Sequence, residues 1–503
     1  MIKHMSEKKY LYSFVALLAL ILCFYLFHLL SSFNFDNDFG RDIGDILSIS
    51  RGDLRLLGPK LSFGGIHASP WYYYLFVPVI FLFPAYPESV VISSVVISVL
   101  TLMAGYLILT RILTVNHWKA TLLTLSMALS PVMVFSVRNP GNAFSYIPFL
   151  SLSFICGYAS MKIQKYREML FLCFALLSGM AVGSHPVSLL AILPFGLLVL
   201  SQTQKISLDK RGLRRRLLVS LVALFLFVLP VLPNVLFEFS HGFVQIKNTF
   251  IEKSYLNFVE DKNLSSTGPK TSQNLFENAR MTDTRGMEWG IPLLLLILVQ
   301  LVVAVRDYFR KTWSIETSLV VTSTISWVLL VVLLRWQYAF HYLFPLYILV
   351  LFVSVIYLTI REKWAYVVIL FIVLTVFSIP RLQSLYVSAS RPIADFRITI
   401  DFILPLIQNE RNIPTNVYLV RKEGNTEPHG HEYRYFLRVA GYAIMDVNSY
   451  NTSTRLLIFD ETKKAKIAQL RSWEIDQFKG SSKELRCKSL GEYTRVNVWL
   501  CEK

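Results

Sequence analysis

The chain has 503 residues, of which 54% are hydrophobic and 14% aromatic, and carries a formal net charge of +17. A soluble domain of this length needs far more polar surface, so the bilayer is the expected main solvent. Lys and Arg gather in short clusters between apolar runs, the pattern that encodes orientation in a membrane, which argues against nucleic acid as the partner the charge would otherwise suggest.

At the amino terminus, Lys3, Lys8 and Lys9 precede an apolar run from Tyr10 to Leu30. The run is too long for a secretory signal, and Ser31-Ser32-Phe33 is a poor cleavage site, so an uncleaved first transmembrane helix is expected. Further runs at 89–110, 118–137, 143–161, 168–184, 187–201, 217–236, 289–305, 314–334, 340–360 and 364–380 bring the expected total to about eleven spans. With the amino terminus inside, the inner segments hold Arg111 and Lys119; Lys162, Lys165 and Arg167; the cluster from Lys205 to Arg216; Arg306, Arg310 and Lys311; and Arg361 and Lys363. That is about nineteen basic against about five acidic residues, and shifting the count by one helix destroys the asymmetry. Everything after Pro380 then lies outside.

The outer side is expected to hold residues 31–88, residues 237–288 and the tail, so the chain divides into a transmembrane domain, 1–380, and an extracytoplasmic domain, 381–503. Trp71 to Phe83, bounded by Pro70 and Pro84, is too short to span and reads as a helix lying in the interface. In the tail, after a linker from Arg381 to Pro392, Asn416 to Val420, Leu456 to Phe459 and Arg495 to Leu500 read as strands, with a helical stretch from Lys463 to Trp473. That is a small α/β domain. Cys23, Cys156 and Cys173 read as small buried side chains. Cys487 and Cys501 flank two strand-like runs joined through Leu490-Gly491-Glu492, where a disulfide across a hairpin and two free thiols both remain open.

Two clusters carry chemistry. If the loop Asn34-Phe35-Asp36-Asn37-Asp38-Phe39-Gly40-Arg41-Asp42-Ile43-Gly44-Asp45 turns helical near Asp38, then Asp38, Asp42 and Asp45 fall on one face with Arg41 beside them. Crowded carboxylates need a bound cation or a shared proton, as active sites do. The alternative is a solvated amphipathic helix whose Ile43, Ile46 and Leu47 face the membrane. The second cluster, Gly64-Gly65-Ile66-His67-Ala68-Ser69-Pro70-Trp71-Tyr72-Tyr73-Tyr74, suits either a turn that positions a polar ligand above lipid or an interfacial anchor. Glu427-Pro428-His429-Gly430-His431-Glu432 has the composition of a metal cluster, but its spacing matches no helical zinc pattern, and it reads as a surface loop.

Together the two clusters resemble the large-fold GT-C membrane glycosyltransferases that use polyprenyl-phosphate sugars, the superfamily of protein O-mannosyltransferases and the lipid A aminoarabinose transferase. Asp38-Phe39-Gly40-Arg41-Asp42 is similar, at Asp38 and Arg41, to the family's Asp-Glu-x-Arg-Tyr motif after the first helix. Ser69-Pro70-Trp71-Tyr72-Tyr73-Tyr74 is similar to its Pro-Pro-Leu-x-Tyr-Trp motif, keeping Pro70 and Tyr73. Softer matches are Asn139-Pro140, His185-Pro186, Phe237 to Phe243 and His341-Tyr342-Leu343-Phe344-Pro345. Phe39 replaces the family's Glu, and the turn from Arg138 to Asn142 lacks the acidic residue of many relatives. A divalent metal therefore has no clear ligand set here, and the need for any cofactor stays open.

The resemblance implies an inverting transfer of sugar from a polyprenyl-phosphate donor to a lipid, glycan or protein acceptor, at the outer face of a bacterial cytoplasmic membrane. Asp38 is the expected general base. Arg41, Arg138 and Arg335, with His67, His185 and His341, are the expected donor-phosphate contacts. Tyr73 joins the donor site, Asp36 and Asp42 are supporting acids, and Glu238 either orients a substrate or caps the helix after it. The rival classes are a transporter or flippase of lipid-linked saccharides and a glycan polymerase or ligase. The absence of a strong internal repeat and the scarcity of acids within the spans weigh against transport.

Overall fold

The computed structural model describes residues 2–61, 66–141, 144–203, 210–252, 291–333, 343–361, 364–407, 411–421, 428–480, 485–493 and 496–503. Among these, five helices are long and apolar enough to cross a membrane: Tyr12–Ser32, Glu88–Ile112, Gln164–Ser184, Pro186–Thr203 and Leu213–Ser240. They mark an integral membrane protein. A sixth is the pair His117–Ala128 and Pro131–Arg138, bent by 61°. The expected single run 118–137 breaks there because Pro131 has no N–H to continue the ladder, while the Ser130 hydroxyl accepts from the Met133 N–H at 3.3 Å and starts a new helix. Helices Ile291–Phe309, Ile315–Leu333, Phe344–Arg361 and Trp364–Leu385 cover the last four expected runs. The short helix Trp71–Leu82 forms as expected between its flanking prolines.

The chain divides into two compact units. The first comprises Met1–Phe27, Arg55–Tyr72 and Val91–Val387. Its helices approach closely where small residues permit it: a Cβ on Gly179 would collide with the backbone of Phe227 on the neighbouring helix. Its buried acids are paired. Glu316 meets Lys162 Nζ at 2.5 Å and the Tyr158 hydroxyl at 2.7 Å, and Asp307 accepts from Thr317 at 2.7 Å and Tyr357 at 2.9 Å.

The second unit gathers His28–Leu54, Tyr73–Val90 and Ser388–Lys503. Its sheet has the order β1-β2-β4-β3, with β1 (Thr415–Val420) parallel to β2 (Arg455–Asp460), and β4 (Val496–Glu502) antiparallel to both β2 and β3 (Arg486–Tyr493). The parallel pair requires a crossover, which the helix His431–Val439 supplies. Leu456, Leu457, Ile458 and Phe459 are all buried, as befits a central strand covered on both faces. On one face, Leu456 and Ile458 pack with Tyr418, Tyr450, Ile475 and Phe478; on the other, Phe459 stacks on Tyr433 at 3.9 Å.

Three details of the tail differ from the sequence reading. The stretch 463–473 is not one helix, because the Asp460 carboxylate captures the N–H groups of Thr462 and Ala465, at 2.9 and 3.0 Å, and Lys463 turns left-handed. Ser472 instead caps a helix from Trp473 to Lys479. Residues 490–492 do not turn the hairpin: β3 runs through them to Tyr493, with a bulge between Ser489 and Gly491, where φ of +127° suits glycine. Cys487 and Cys501 sit opposite each other in that register and form a disulfide.

The first-loop segment is built into this unit rather than laid on lipid. It forms a helix, Asn37–Ser50, whose Ile43, Ile46 and Leu47 are buried inside the protein. This helix meets His431–Val439 at Gly40, where an added Cβ would lie 2.7 Å from Glu432 N and 2.9 Å from His431 C, both backbone atoms. Gly40→Ala is therefore expected to destabilise the second unit by about 1–3 kcal/mol, read as faster limited proteolysis of the tail in detergent. An unchanged proteolysis rate would show that the two helices part at no cost.

Candidate functional site

Asp36 starts the loop helix. Its backbone is extended, and its Oδ1 accepts from the Phe39 N–H at 2.8 Å, satisfying one of the donors that a helix leaves open at its first turn. Asp38, in that first turn, is favoured by the helix dipole. Asp42 lies one turn on along the same face, where the packing around it differs: its side chain is 1% exposed, against 72% for Asp38.

Arg41 lies between them. Its Nη1 donates to Asp38 Oδ1 at 2.8 Å, while Nε and Nη2 donate to Asp42 Oδ1 at 3.1 and 2.9 Å. Burial works against the charge on Arg41, but the carboxylates of Asp42 and Asp38 outweigh it and hold its pKa above the ordinary arginine value. From the helix Trp71–Leu82, the Tyr73 hydroxyl reaches Asp42 Oδ1 at 3.1 Å and Asp45 Oδ2 at 3.2 Å. Burial pushes Asp42 up to about 7, against the pull of Arg41. Its second oxygen, Oδ2, is buried with no hydrogen-bond partner. The two sequence clusters thus meet in one constellation of Asp36, Asp38, Arg41, Asp42, Asp45 and Tyr73.

The tail backs this constellation with a second charged network. Glu432, fully buried, accepts from Arg391 Nη1 at 2.8 Å and Arg421 Nη2 at 2.5 Å, and Arg391 Nη2 reaches Glu461 at 2.6 Å. The Phe35 N–H donates to the Arg391 carbonyl at 2.8 Å, and the Phe35 ring packs edge-on against Phe39, Phe396 and Phe436. The segment read as a surface loop, Glu427 to Glu432, is therefore overturned from Pro428 on. His431 opens a helix, and burial holds its imidazole neutral by driving its pKa well down. No group of three or more His, Cys, Asp or Glu side chains fit to hold a metal occurs among the described residues. Sequence reasoning missed Arg391 and Glu432; the signal available was the amphipathic run of His431–Val439 after Gly430.

The other expected site residues lie in the first unit. His67 and Glu238 belong to one hydrogen-bonded group: the His67 N–H donates to Gln245 Oε1 at 2.6 Å, and Glu238 accepts from the N–H groups of Gln245 and Ile246, both at 3.1 Å. Of its two expected roles, Glu238 thus performs the cap. Arg138 is buried, donating to the Tyr25 and Phe27 carbonyls at 2.9 Å with Tyr386 under its guanidinium. His185 ends a helix, and its Nδ1 accepts from the Val187 N–H at 3.3 Å. Arg335, His341, Gly64 and Gly65 lie outside the described residues.

This fold is shared with solved structures of another protein. In particular, the chain is similar to the crystal structure of the aminoarabinose transferase ArnT from Cupriavidus metallidurans in the apo state, with a TM-score of 0.57 and 11% identity over 98% of both chains. The same enzyme bound to undecaprenyl phosphate aligns over 98% of both chains, with a TM-score of 0.57 and 10% identity. No protein-family model matches the chain, and no curated protein does.

The Asp36 cap separates two roles by substitution. Asp36→Asn, which caps as well as Asp, is expected to keep amide protection at Phe39, whereas Asp36→Ala loses ~1 kcal/mol of helix stability by hydrogen exchange. Loss of protection in both variants would show that the negative charge, and not the cap, holds the first turn.

Proposed function

We propose that the protein is an inverting glycosyltransferase that moves a sugar from a polyprenyl-phosphate donor to an acceptor at the outer face of a bacterial cytoplasmic membrane. The observation that carries this reading is the exposed carboxylate of Asp38, ion-paired to Arg41 at 2.8 Å on the helix that follows the first span. A fold shared with an enzyme whose crystal structure holds undecaprenyl phosphate supports the donor class. The proposed topology has about eleven spans, an amino terminus inside and the domain 381–503 outside.

In this reading the acceptor hydroxyl or amine gives its proton to Asp38 Oδ as its oxygen or nitrogen attacks the anomeric carbon. The bond from that carbon to the phosphate oxygen breaks at the same time, and the electron pair leaves with the polyprenyl phosphate. A single displacement inverts the anomeric centre. The leaving phosphate needs positive charge rather than a proton. Arg41 keeps N–H groups beyond the three it gives to Asp38 and Asp42, and Tyr73 adjoins it on the same constellation.

Asp38→Asn is expected to lower transfer from radiolabelled polyprenyl-phosphate sugar by about 10²–10⁴-fold with the protein still folded. Full activity in that variant would remove Asp38 as the base. Full activity after replacing Asp36, Asp38 and Asp42 together would remove the loop as the site.

A further inference from the structure

We propose that the tail carries a membrane-contact surface on the helix Ile393–Ile403: Ile398 and Phe402, with Leu406 in the turn after them, rest in the headgroup layer of the bilayer that the chain spans. This goes beyond the proposed transfer and does not depend on it. The helix has two apolar sides. Ile393, Phe396, Ile400 and Ile403 are buried, and Phe396 packs within the second unit against Phe35 and Tyr433. The helical period sets Ile398 and Phe402 one turn apart on the other side. They are 41 and 57% exposed, and Leu406 is 54% exposed. A helix that only closed a water-facing core would carry polar residues there.

What stands beside this stripe identifies its partner. Arg397, one residue before Ile398, donates from Nη2 to both carboxylate oxygens of Glu88 at 2.7 Å. Glu88 is the first residue of the 25-residue apolar helix Glu88–Ile112. About 20 residues suffice to cross the hydrocarbon, so an acid at the first position of that helix stands at headgroup level. The ion pair brings the tail helix to the same depth. Arg397 also donates to the Ala85 carbonyl at 3.3 Å and lies 5.2 Å from the centroid of the Tyr86 ring, while the Tyr435 hydroxyl donates to the Pro84 carbonyl at 2.6 Å. The corner so fastened is itself apolar and open, with Phe81, Phe83 and Tyr86 all more than half exposed. Tyr and other amphipathic rings favour that level of a bilayer. Asp401, exposed on the Arg397 flank of the stripe, suits the headgroups and not the hydrocarbon. A second copy of the chain would cover the same side chains, but it gives no reason for the stripe to align with the first residue of a span.

Spin labelling of the full chain in vesicles of phosphatidylethanolamine and phosphatidylglycerol tests this. The free cysteines are removed as Cys23→Ala, Cys156→Ala and Cys173→Ala, the Cys487–Cys501 disulfide is left unreduced, and labels are attached to Ile398→Cys, Phe402→Cys and the control Thr452→Cys. Thr452 is exposed and precedes β2 at Arg455, whereas Phe402 stacks on Tyr493 beside the other end of the sheet, where Asn497 pairs with Asp460. The expected result is a ratio of oxygen to water-soluble nickel chelate accessibility several-fold higher at 398 and 402 than at 452, because oxygen concentrates in lipid. Nickel accessibility at 398 and 402 equal to that at 452 places the stripe in water and overturns the proposal. Low accessibility to both reagents shows cover by protein, as in a pair of copies, and overturns it as well. Should the 402 variant not fold, the label at 398 decides alone. Arg397→Gln releases Glu88 and is expected to lower the ratio at 398; an unchanged ratio there would overturn the ion pair as what sets the depth.

Discussion

A backbone-to-backbone contact at Gly40 governs the candidate site. Where the loop helix crosses His431–Val439, no Cβ fits, so the rotation of the loop helix about its own axis is set by the approach of two main chains. Once that rotation is set, Asp38 and Asp42 stand one turn apart on the same face with Arg41 bonded to both, and the packing around them leaves Asp38 exposed and Asp42 buried. A shift of one residue along the helix would turn each of these side chains by about 100° and dissolve the constellation.

Charge pairing inside the second unit follows one rule, that a buried ion is tolerable only with partners close at hand. Glu432 meets it with two arginines and Arg391 meets it with two glutamates, though Glu432 Oε2 and Arg391 Nε stay buried without a hydrogen-bond partner. The Arg41 group follows the same pattern. Arg41 gives two bonds to Asp42 Oδ1, which also accepts from Tyr73, and Asp42 Oδ2 stays unsatisfied. Open buried polar atoms of this kind occur in both networks and cost stability. In the first unit, Glu238 and Arg138 have settled partners of their own within that unit: backbone N–H groups for one, backbone carbonyls for the other.

Much of the local structure was legible because it depends on neighbours in sequence. The apolar runs became helices, the strand-like runs of the tail became β1, β2 and β4, and the acidic loop became a helix with Asp36 as its cap. The errors came where a side chain overrode local preference. Asp460 captured two N–H groups and stopped a helix that the charged stretch after it favoured; Pro131 split an apolar run; Gly491 let β3 continue through an expected turn. Glu432 was misread for a different reason. Its burial depends on Arg391 and Arg421, and nothing in the residues beside it announces either partner.

The sequence by itself determined the apolar runs that form the long helices and the acidic loop helix with Arg41 at helical spacing from Asp38 and Asp42, because hydropathy and helical period are local properties. Only the tertiary structure decided which of those acids is buried, that Tyr73 joins them from a separate helix, and that the tail braces the loop helix through Gly40 and Glu432. Burial and pairing depend on residues far apart in the chain, and a carboxylate's chemistry is set by what surrounds it rather than by what precedes it.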